Sequence, residues 1–372
     1  MRLVHVTDTF LPKVGGAEIA IDQLIRAMTQ SGDECALLAQ RPQGMKTEIQ
    51  TPYRLMRFAN PRSSLWAGWW IKRHLRTLLE QIGTPDALIA HHAFPPGYAC
   101  VKAARKLGIP CLVYPRGGDI YEVSRFRKKK HAWRKLNWAL QHASAVICAS
   151  AAMEELVRGI LGEDGKSQRI VRIPNGVNIE ELRQDALDCR LAMDANLSGP
   201  FVLALGRTIR RKGFHFLIDA WAALPSSEWK LVIAGNGRDL PTLKQMAGPL
   251  GNRVQFTGRV SGADKRWLLQ HCQFMAAPSL EESFGNVALE AMACGKPVIA
   301  SRASGFAEIV TDGENGLLVE IGNVSALAGA LSGMMEMDRT ALCAAAARTA
   351  TQFAWPIIAQ RYRDVIAEFR GA

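Results

Sequence analysis

The sequence predicts an α/β protein made of two doubly wound halves, each a parallel sheet with helices on its faces. Three observations predict it. Short apolar runs alternate with helical periodicity along most of the 372 residues, the pattern of strand–helix–strand units. The alternation breaks at Arg172-Ile173-Pro174-Asn175-Gly176-Val177, where a proline and an Asn-Gly turn intervene, and then begins again. Glycine-containing loops follow several strands, on the rim where sheets of this kind hold ligands.

Residues 2–6 read as the first strand, and the loop after it ends in Gly15-Gly16. Residues 17–30 are amphipathic, with Ile21, Leu24, Ile25 and Met28 on one face. Strand, glycine loop and helix form a phosphate-type layout, although Gly-Gly-Ala-Glu is not the dinucleotide fingerprint; a tight turn that needs glycine fits equally. Further strands are expected at 35–39, 87–91, 111–115 and 145–149. In the second half they fall at 201–205, 230–234, 253–256, 274–277, 298–300 and 316–319, with a helix over 213–223. The last segment, 355–369, is periodic in Ile358, Tyr362, Val365, Ile366 and Phe369. The expected domains are 1–174 and 175–354.

Composition is globular, with 48% apolar and 22% charged residues and no low-complexity tract. A net charge of +12 points to an anionic partner: nucleic acid, anionic lipid or phosphorylated substrate. No apolar run approaches the roughly 18 to 20 residues of a membrane span, and Met1 leads straight into a strand without a signal peptide. Eight cysteines lie scattered, with neither a C-x-x-C pair nor metal-ligand spacing, so no metal site is expected and a reducing cytoplasm fits.

The most informative stretch is 278–301. Asn286 is expected to cap a helix over 287–294, which Gly295 stops before the strand admitted by Pro297. Glu290 is the only charge in that helix, Val-Ala-Leu-Glu-Ala-Met-Ala-Cys, and is expected to be buried. A buried carboxylate needs strong donors, which sugar hydroxyls would supply; a thin solvent-facing stripe is the plainer alternative. Glu282, separated from Glu290 by seven residues, lies in the glycine loop ahead of the helix, so both carboxylates can line one pocket.

The setting of that pair, Glu282-Ser283-Phe284-Gly285 followed by Glu290-Ala291-Met292-Ala293-Cys294-Gly295-Lys296-Pro297-Val298, resembles the signature of retaining glycosyltransferase family 4. That family includes sucrose phosphate and trehalose phosphate-type synthases and bacterial lipopolysaccharide and exopolysaccharide transferases. The resemblance implies the GT-B fold: two Rossmann-like domains facing a cleft, with the C-terminal helix (355–372) crossing back onto the first, acceptor-binding domain. The second domain would hold a nucleotide-diphosphate sugar, with UDP or GDP as the carrier and no cofactor or metal.

Residue by residue, the resemblance implies that Glu290 binds the donor ribose and Glu282 faces the donor sugar. Gly206-Arg207-Thr208-Ile209-Arg210-Arg211-Lys212-Gly213 follows a strand and opens a helix, a place where cations can clamp a diphosphate or simply be solvated. The family's spacing selects Arg207 and Lys212 for that clamp. Backbone N–H groups around Phe284, Gly285, Asn286 and Val287 would hold sugar and phosphate oxygens, and Arg259-Val260 would meet the base. Asn236-Gly237 reads mainly as a turn. On the first domain, Gly15-Gly16 would approach donor phosphate or acceptor. His91, ending a strand beside His92, would point into the cleft as a catalytic-site group, although such a histidine can also be a satisfied polar residue. No Asp or Glu neighbours it at a spacing that suggests a triad.

One departure stands out. Many relatives carry a His-Gly after the next strand, and some accept Arg there; this chain has Pro115-Arg116-Gly117-Gly118-Asp119. A guanidinium stays protonated and cannot shuttle protons, so Arg116 is assigned to the pocket without a proton-transfer role. Asp119 would orient Arg116 or meet an acceptor hydroxyl.

Two basic–aromatic stretches complete the reading. Residues 57–76 hold Arg62, Trp66, Trp69, Trp70, Lys72, Arg73 and Arg76; residues 125–138 hold Arg125, Arg127, Trp133, Arg134, Lys135 and Trp138. Tryptophan beside lysine and arginine suits an anionic membrane surface, while a solvated helix face with core tryptophans is the alternative. Nucleic acid is not expected, since no RNA-binding motif accompanies them.

The expected activity is metal-independent, retaining transfer of a sugar to a glycan or lipid-linked acceptor in lipopolysaccharide or cell-surface polysaccharide synthesis. The expected place is the cytoplasm, at the inner face of the plasma membrane. A nucleotide-sugar epimerase of the same twin fold and a non-catalytic peripheral membrane protein are the rivals. A dehydrogenase is disfavoured by the missing G-x-G-x-x-G.

Overall fold

A computed structural model describes residues 1–13, 15–42, 44–45, 48–59, 64–121, 124, 126–191, 197–303 and 305–370. Two compact units emerge, one from Met1–Gly176 with Trp355–Ala372, the other from Val177–Ala354.

In unit 1 the chain runs through β1 (Arg2–Thr7), α1 (Gly16–Gln30), β2 (Glu34–Gln40), β3 (Arg54–Phe58), α2 (Ser64–Ile82), β4 (Ala87–His91), α3 (Tyr98–Leu107), β5 (Cys111–Tyr114), α4 (Lys130–His142), β6 (Ala145–Cys148), α5 (Ala151–Leu161) and β7 (Ile170–Arg172). Among the described residues these seven strands form one sheet in the order β3-β2-β1-β4-β5-β6-β7. Every pairing is parallel; Thr7 lies opposite both Ala39 and His91. Parallel strands covered on both faces read as continuous apolar runs, and Leu88, Ile89 and Ala90 are all fully buried. One core cluster joins Val4, Leu38, Leu88 and Val113 to Ile71, Leu75 and Leu78 of α2 and Leu136 of α4.

Unit 2 runs through α6 (Ile179–Arg183), β8 (Phe201–Leu205), α7 (Phe214–Ala222), β9 (Lys230–Ala234), α8 (Leu240–Ala247), β10 (Val254–Gly258), α9 (Gly262–His271), β11 (Phe274–Ala277), α10 (Asn286–Ala293), β12 (Val298–Ser301), β13 (Gly316–Val319), α11 (Val324–Glu336) and α12 (Thr340–Thr351). Its six described strands, also parallel, follow the order β10-β9-β8-β11-β12-β13. Its core joins Val202, Ile233, Phe274 and Ile299 to Phe214, Leu217 and Trp221 of α7 and Leu327 and Leu331 of α11.

The chain then returns to unit 1 as α13 (Trp355–Glu368), which lies against α1. The apolar stripe of α1, Ile21, Leu24, Ile25 and Met28, is buried, as are Ile358, Tyr362 and Ile366 of α13. Arg363 Nε donates to Asp33 at 2.8 Å, and Trp355 sits so close to Gly176 that a Cβ there would fall 2.4 Å from its ring.

Both sheets reverse winding direction once. In unit 1 the reversal lies between β1 and β4, in unit 2 between β8 and β11. The carboxyl ends of two such strands diverge into loops on opposite faces and leave a crevice, the usual place for a ligand. The crevice loops begin at Asp8 and His92 in one unit and at Gly206 and Pro278 in the other.

Two expectations about elements are corrected. Asn286 does not cap α10 but is its first residue, and Gly285 precedes it with φ 99°, a conformation that suits glycine. The strands β3 and β7 were absent from the sequence reading. β3 carries Arg54 and Arg57 on an edge, and β7 has only three residues.

Candidate functional site

In unit 2 the loops after β8 and β11 are stitched together. Leu280 N donates to Arg211 O at 2.8 Å, and Gly213 sits so tightly on Pro278 that a Cβ would fall 1.8 Å from its carbonyl oxygen. Gly213 also has φ 69°, which favours glycine. This stitching brings Lys212 to Glu282: Nζ to Oε2 is 2.5 Å, with side-chain exposures of 15% and 14%. The expected diphosphate cation and the expected sugar-facing carboxylate therefore form one half-buried ion pair. Glu282 Oε1 also accepts from Ser283 N at 3.2 Å, which fixes the carboxylate plane. Arg207 is exposed at the start of the same rim, and Arg211 approaches Glu281 at 3.9 Å.

α10 begins at the crevice because Gly285 turns the chain there; a Cβ at Gly285 would lie 2.7 Å from the Phe306 ring. Phe284 is buried against Phe353, so only its backbone can serve a ligand. Glu290 is mostly buried, as its isolation among apolar residues predicts, but a donor already meets it. Lys265 of α9 donates to Oε1 at 2.6 Å, while Oε2 is buried with no hydrogen-bond partner among the described residues. Sequence reasoning missed Lys265, which lies on another helix with no motif around it. Arg259 is exposed and Val260 half-buried, directly after β10. The turn falls just after Asn236-Gly237, with Leu240 N donating to Gly237 O at 3.2 Å, while Gly237 N donates to Asn236 Oδ1 at 2.8 Å.

In unit 1 the rim is an extended polar network. Arg116 stacks over Tyr114 at 3.8 Å, and its Nη1 donates to Asn175 Oδ1 at 3.0 Å. Its Nη2 lies 2.8 Å from His91 Nδ1. A guanidinium only donates, so His91 Nδ1 is the acceptor and its proton sits on Nε2. That Nε2 then donates to His5 Nδ1 at 3.0 Å across a stacked ring pair. The expectation that His91 points outward as a catalytic-site group is corrected: it is fully buried and both ring nitrogens are committed. Burial, with the Arg116 charge beside it, holds His91 well below the usual imidazole range. Burial likewise pushes His5 down to about 3, against an upward pull from Asp33.

His92 is the histidine of the crevice, with φ 106°, a strained value for a residue other than glycine. Its Nδ1 lies 2.9 Å from Asp8 Oδ1, and both side chains keep some exposure. Burial opposes the imidazolium, but Asp8 and Asp119 outweigh it and the pKa is raised. Asp8 comes from the end of β1, 84 positions away, which hid this pairing from any sequence spacing. Asp119 is buried, and burial raises its pKa; its carboxylate accepts from Ala93 N at 2.6 Å and Arg116 N at 3.0 Å. It thus orients the Arg116 backbone and is too enclosed to meet an acceptor hydroxyl. Gly15 leads into α1 beneath Glu18, whose Oε1 accepts from Thr9 Oγ1 at 2.6 Å; a Cβ at Gly15 would strike Glu18 Oε2 at 2.5 Å. Gly16 is the first residue of α1.

The two basic–aromatic stretches differ. Trp69 of α2 is 50% exposed, and Lys72, Arg73 and Arg76 are exposed on the same helix. In α4, Trp133 and Trp138 pack partly against the core, with Arg127 over Trp133 and Lys102 over Trp138. Arg62, Arg125 and the Trp66 side chain lie outside the described residues. Among the described residues no helix is long and apolar enough to cross a membrane, and no cluster of potential metal ligands occurs.

Residues 14–181 match the family model of Glycosyltransferase Family 4, and residues 199–337 that of Glycosyl transferases group 1. An uncharacterized glycosyltransferase of Methanocaldococcus jannaschii is 31% identical over 249 residues, 67% of this chain and 64% of the relative, so under two thirds of its length is matched. The lipopolysaccharide core biosynthesis glycosyltransferase LpsE of Rhizobium meliloti is 28% identical over 338 residues, 88% of each chain. Among solved structures, Anabaena HepE in complex with UDP-glucose has the same fold, with a TM-score of 0.79, 23% identity and coverage of 99% of this chain and 100% of that one. Both sheets, their parallel order and both family models agree. The chain belongs to glycosyltransferase family 4 and has the GT-B fold.

Proposed function

We propose that the chain transfers a sugar from a nucleotide-diphosphate donor to a glycan or lipid-linked acceptor, with retention of anomeric configuration and without a metal. The observation that carries this reading is the ion pair of Lys212 with Glu282 at the unit 2 crevice, with Arg207 on the same loop as Lys212 and Glu290 on the helix that follows Glu282. Cations beside a strand end suit a diphosphate, and buried carboxylates suit sugar hydroxyls.

In this reading Glu290 takes a ribose hydroxyl, while Glu282 takes a hydroxyl of the transferred sugar. Arg207 and Lys212 stabilise the departing diphosphate. The acceptor hydroxyl attacks the anomeric carbon on the face from which the diphosphate leaves. The new C–O bond forms as the old one breaks, and a phosphate oxygen takes the hydroxyl proton. The chain then supplies position and charge, and needs no nucleophile. Backbone groups from Phe284 to Val287 and at Arg259-Val260 complete the donor site. Within unit 1, Gly15, Gly16 and Arg116 offer polar groups to a phosphate or an acceptor. The UDP-glucose complex of HepE supports UDP as the carrier, with GDP the alternative. LpsE supports an acceptor of the lipopolysaccharide class. Trp69, Lys72, Arg73 and Arg76 would touch an anionic membrane from the cytoplasmic side.

The test is a panel of UDP-, GDP-, ADP- and CMP-sugars in EDTA, measuring binding and hydrolysis for wild type and Glu290→Ala. One metal-independent donor that loses about tenfold or more in affinity with Glu290→Ala supports the reading. Absence of binding at millimolar donor overturns it.

A further inference from the structure

Glu290 is held by a cation from a different helix. Lys265 Nζ lies 2.6 Å from Oε1, with side-chain exposures of 22% and 17%. The start of α9 is itself anchored beside Lys265: Asp264 accepts from the Arg190 backbone at 2.9 Å and from its guanidinium at 2.6 and 3.2 Å. Lys265 thus has a fixed base from which to reach α10. With its charge drawn to the ammonium, Oε1 is the weaker acceptor for any second donor. Oε2 is buried and has no hydrogen-bond partner among the described residues. A buried acceptor left unsatisfied is costly, so a ligand hydroxyl that reaches Oε2 gains more than one that competes for Oε1.

We propose that Lys265 is a positioning residue for Glu290. By taking Oε1 it leaves Oε2 as the single acceptor for the donor ribose, so that one hydroxyl of the 2′,3′-diol is read and the other is not. The inference rests on the donor reading above and adds a specificity to it. A free carboxylate would accept from both hydroxyls of the diol.

The experiment measures binding of UDP and GDP, with the 2′-deoxy and 3′-deoxy forms of whichever binds, to wild type, Lys265→Met and Lys265→Arg. Wild type is expected to lose about tenfold on one deoxy analogue and less than about threefold on the other. Lys265→Met should make the two deoxy losses alike, with any other change confined to donor affinity and KM and kcat within about twofold. Lys265→Arg should restore both the affinity and the asymmetry. Equal losses in wild type overturn the inference, and that comparison needs no folded variant. So does a Lys265→Met variant that keeps the asymmetry. Failure of wild type to bind either nucleotide is a separate outcome: it overturns the donor reading itself, and the role of Lys265 with it.

Discussion

His5, His91 and His92 sit within one network yet respond to acid in opposite directions. His5 and His91 are neutral when folded, because burial disfavours their charge. Unfolded imidazole titrates near 6.5, so as pH falls the unfolded state takes up protons first and unit 1 loses stability. Each contributes a slope of up to about 1.4 kcal/mol per pH unit below that value, continuing for His5 to about 3. His92 has a raised folded pKa, so its contribution is complete below the unfolded value and is lost as pH rises through the folded one. Two inverted groups outweigh one. The wild-type Tm should therefore fall from about pH 7 to about pH 5, and His5→Asn should flatten that dependence whatever its Tm at pH 7. The same network explains why Arg116 is not interchangeable with lysine. An ammonium cannot reach Asn175 and His91 together while stacking on Tyr114. Arg116→Lys should lower kcat/KM for sugar transfer by about tenfold or more, with the circular-dichroism spectrum unchanged.

At the scale of elements, the entry to α10 is the most constrained place in unit 2. Gly285→Ala would force a side chain into φ 99° and against the Phe306 ring. A cost of roughly 2 kcal/mol or more is expected, read as a lower urea midpoint, together with weakened nucleotide binding because the helix start is displaced. This element was also the most legible one in the sequence, because the whole setting from Glu282 to Val298 resembles the family signature; the two glutamates alone would have been compatible with a solvent-facing stripe. The strands were legible where apolar runs had the right length, and β8, β9, β11 and β13 fall at the expected residues. β3 was hidden by its edge position, where two arginines interrupt the apolar run. Strand order was not legible at all, because nothing local in β1 or β4 says that they are neighbours. For that reason the Asp8–His92 contact could not be foreseen, nor could the sequence say that His91 faces inward while His92 takes the rim. Lys265 was hidden likewise, since its partner lies on the next helix with a strand between them.

At the scale of the whole molecule, unit 1 is assembled from two distant stretches of chain, and α13 supplies a layer of its core. The Arg363–Asp33 contact ties that helix down, with side-chain exposures of only 14% and 5%. Removing one partner of such a pair leaves the other buried and less well satisfied. Arg363→Ala should cost about 1–3 kcal/mol in urea unfolding, more than a change at the exposed Arg361, which the structure leaves at the surface. The periodicity of 355–369 made this helix visible in the sequence; where it docks came only from the family resemblance.

The docking of α13 on α1 also sets an order of events during synthesis. Chains fold as they emerge, N-terminal part first. Residues 177–354 are contiguous and can close on themselves as soon as they are out, whereas the half begun earliest waits for the last residues to be made. Until then the part of α1 that α13 covers stays open to whatever the nascent chain meets. On ribosomes stalled after a linker that follows residue 354, protease should spare the second half and cut the first. Adding 355–370 ahead of that linker should protect both, so the domain started first is the one finished last.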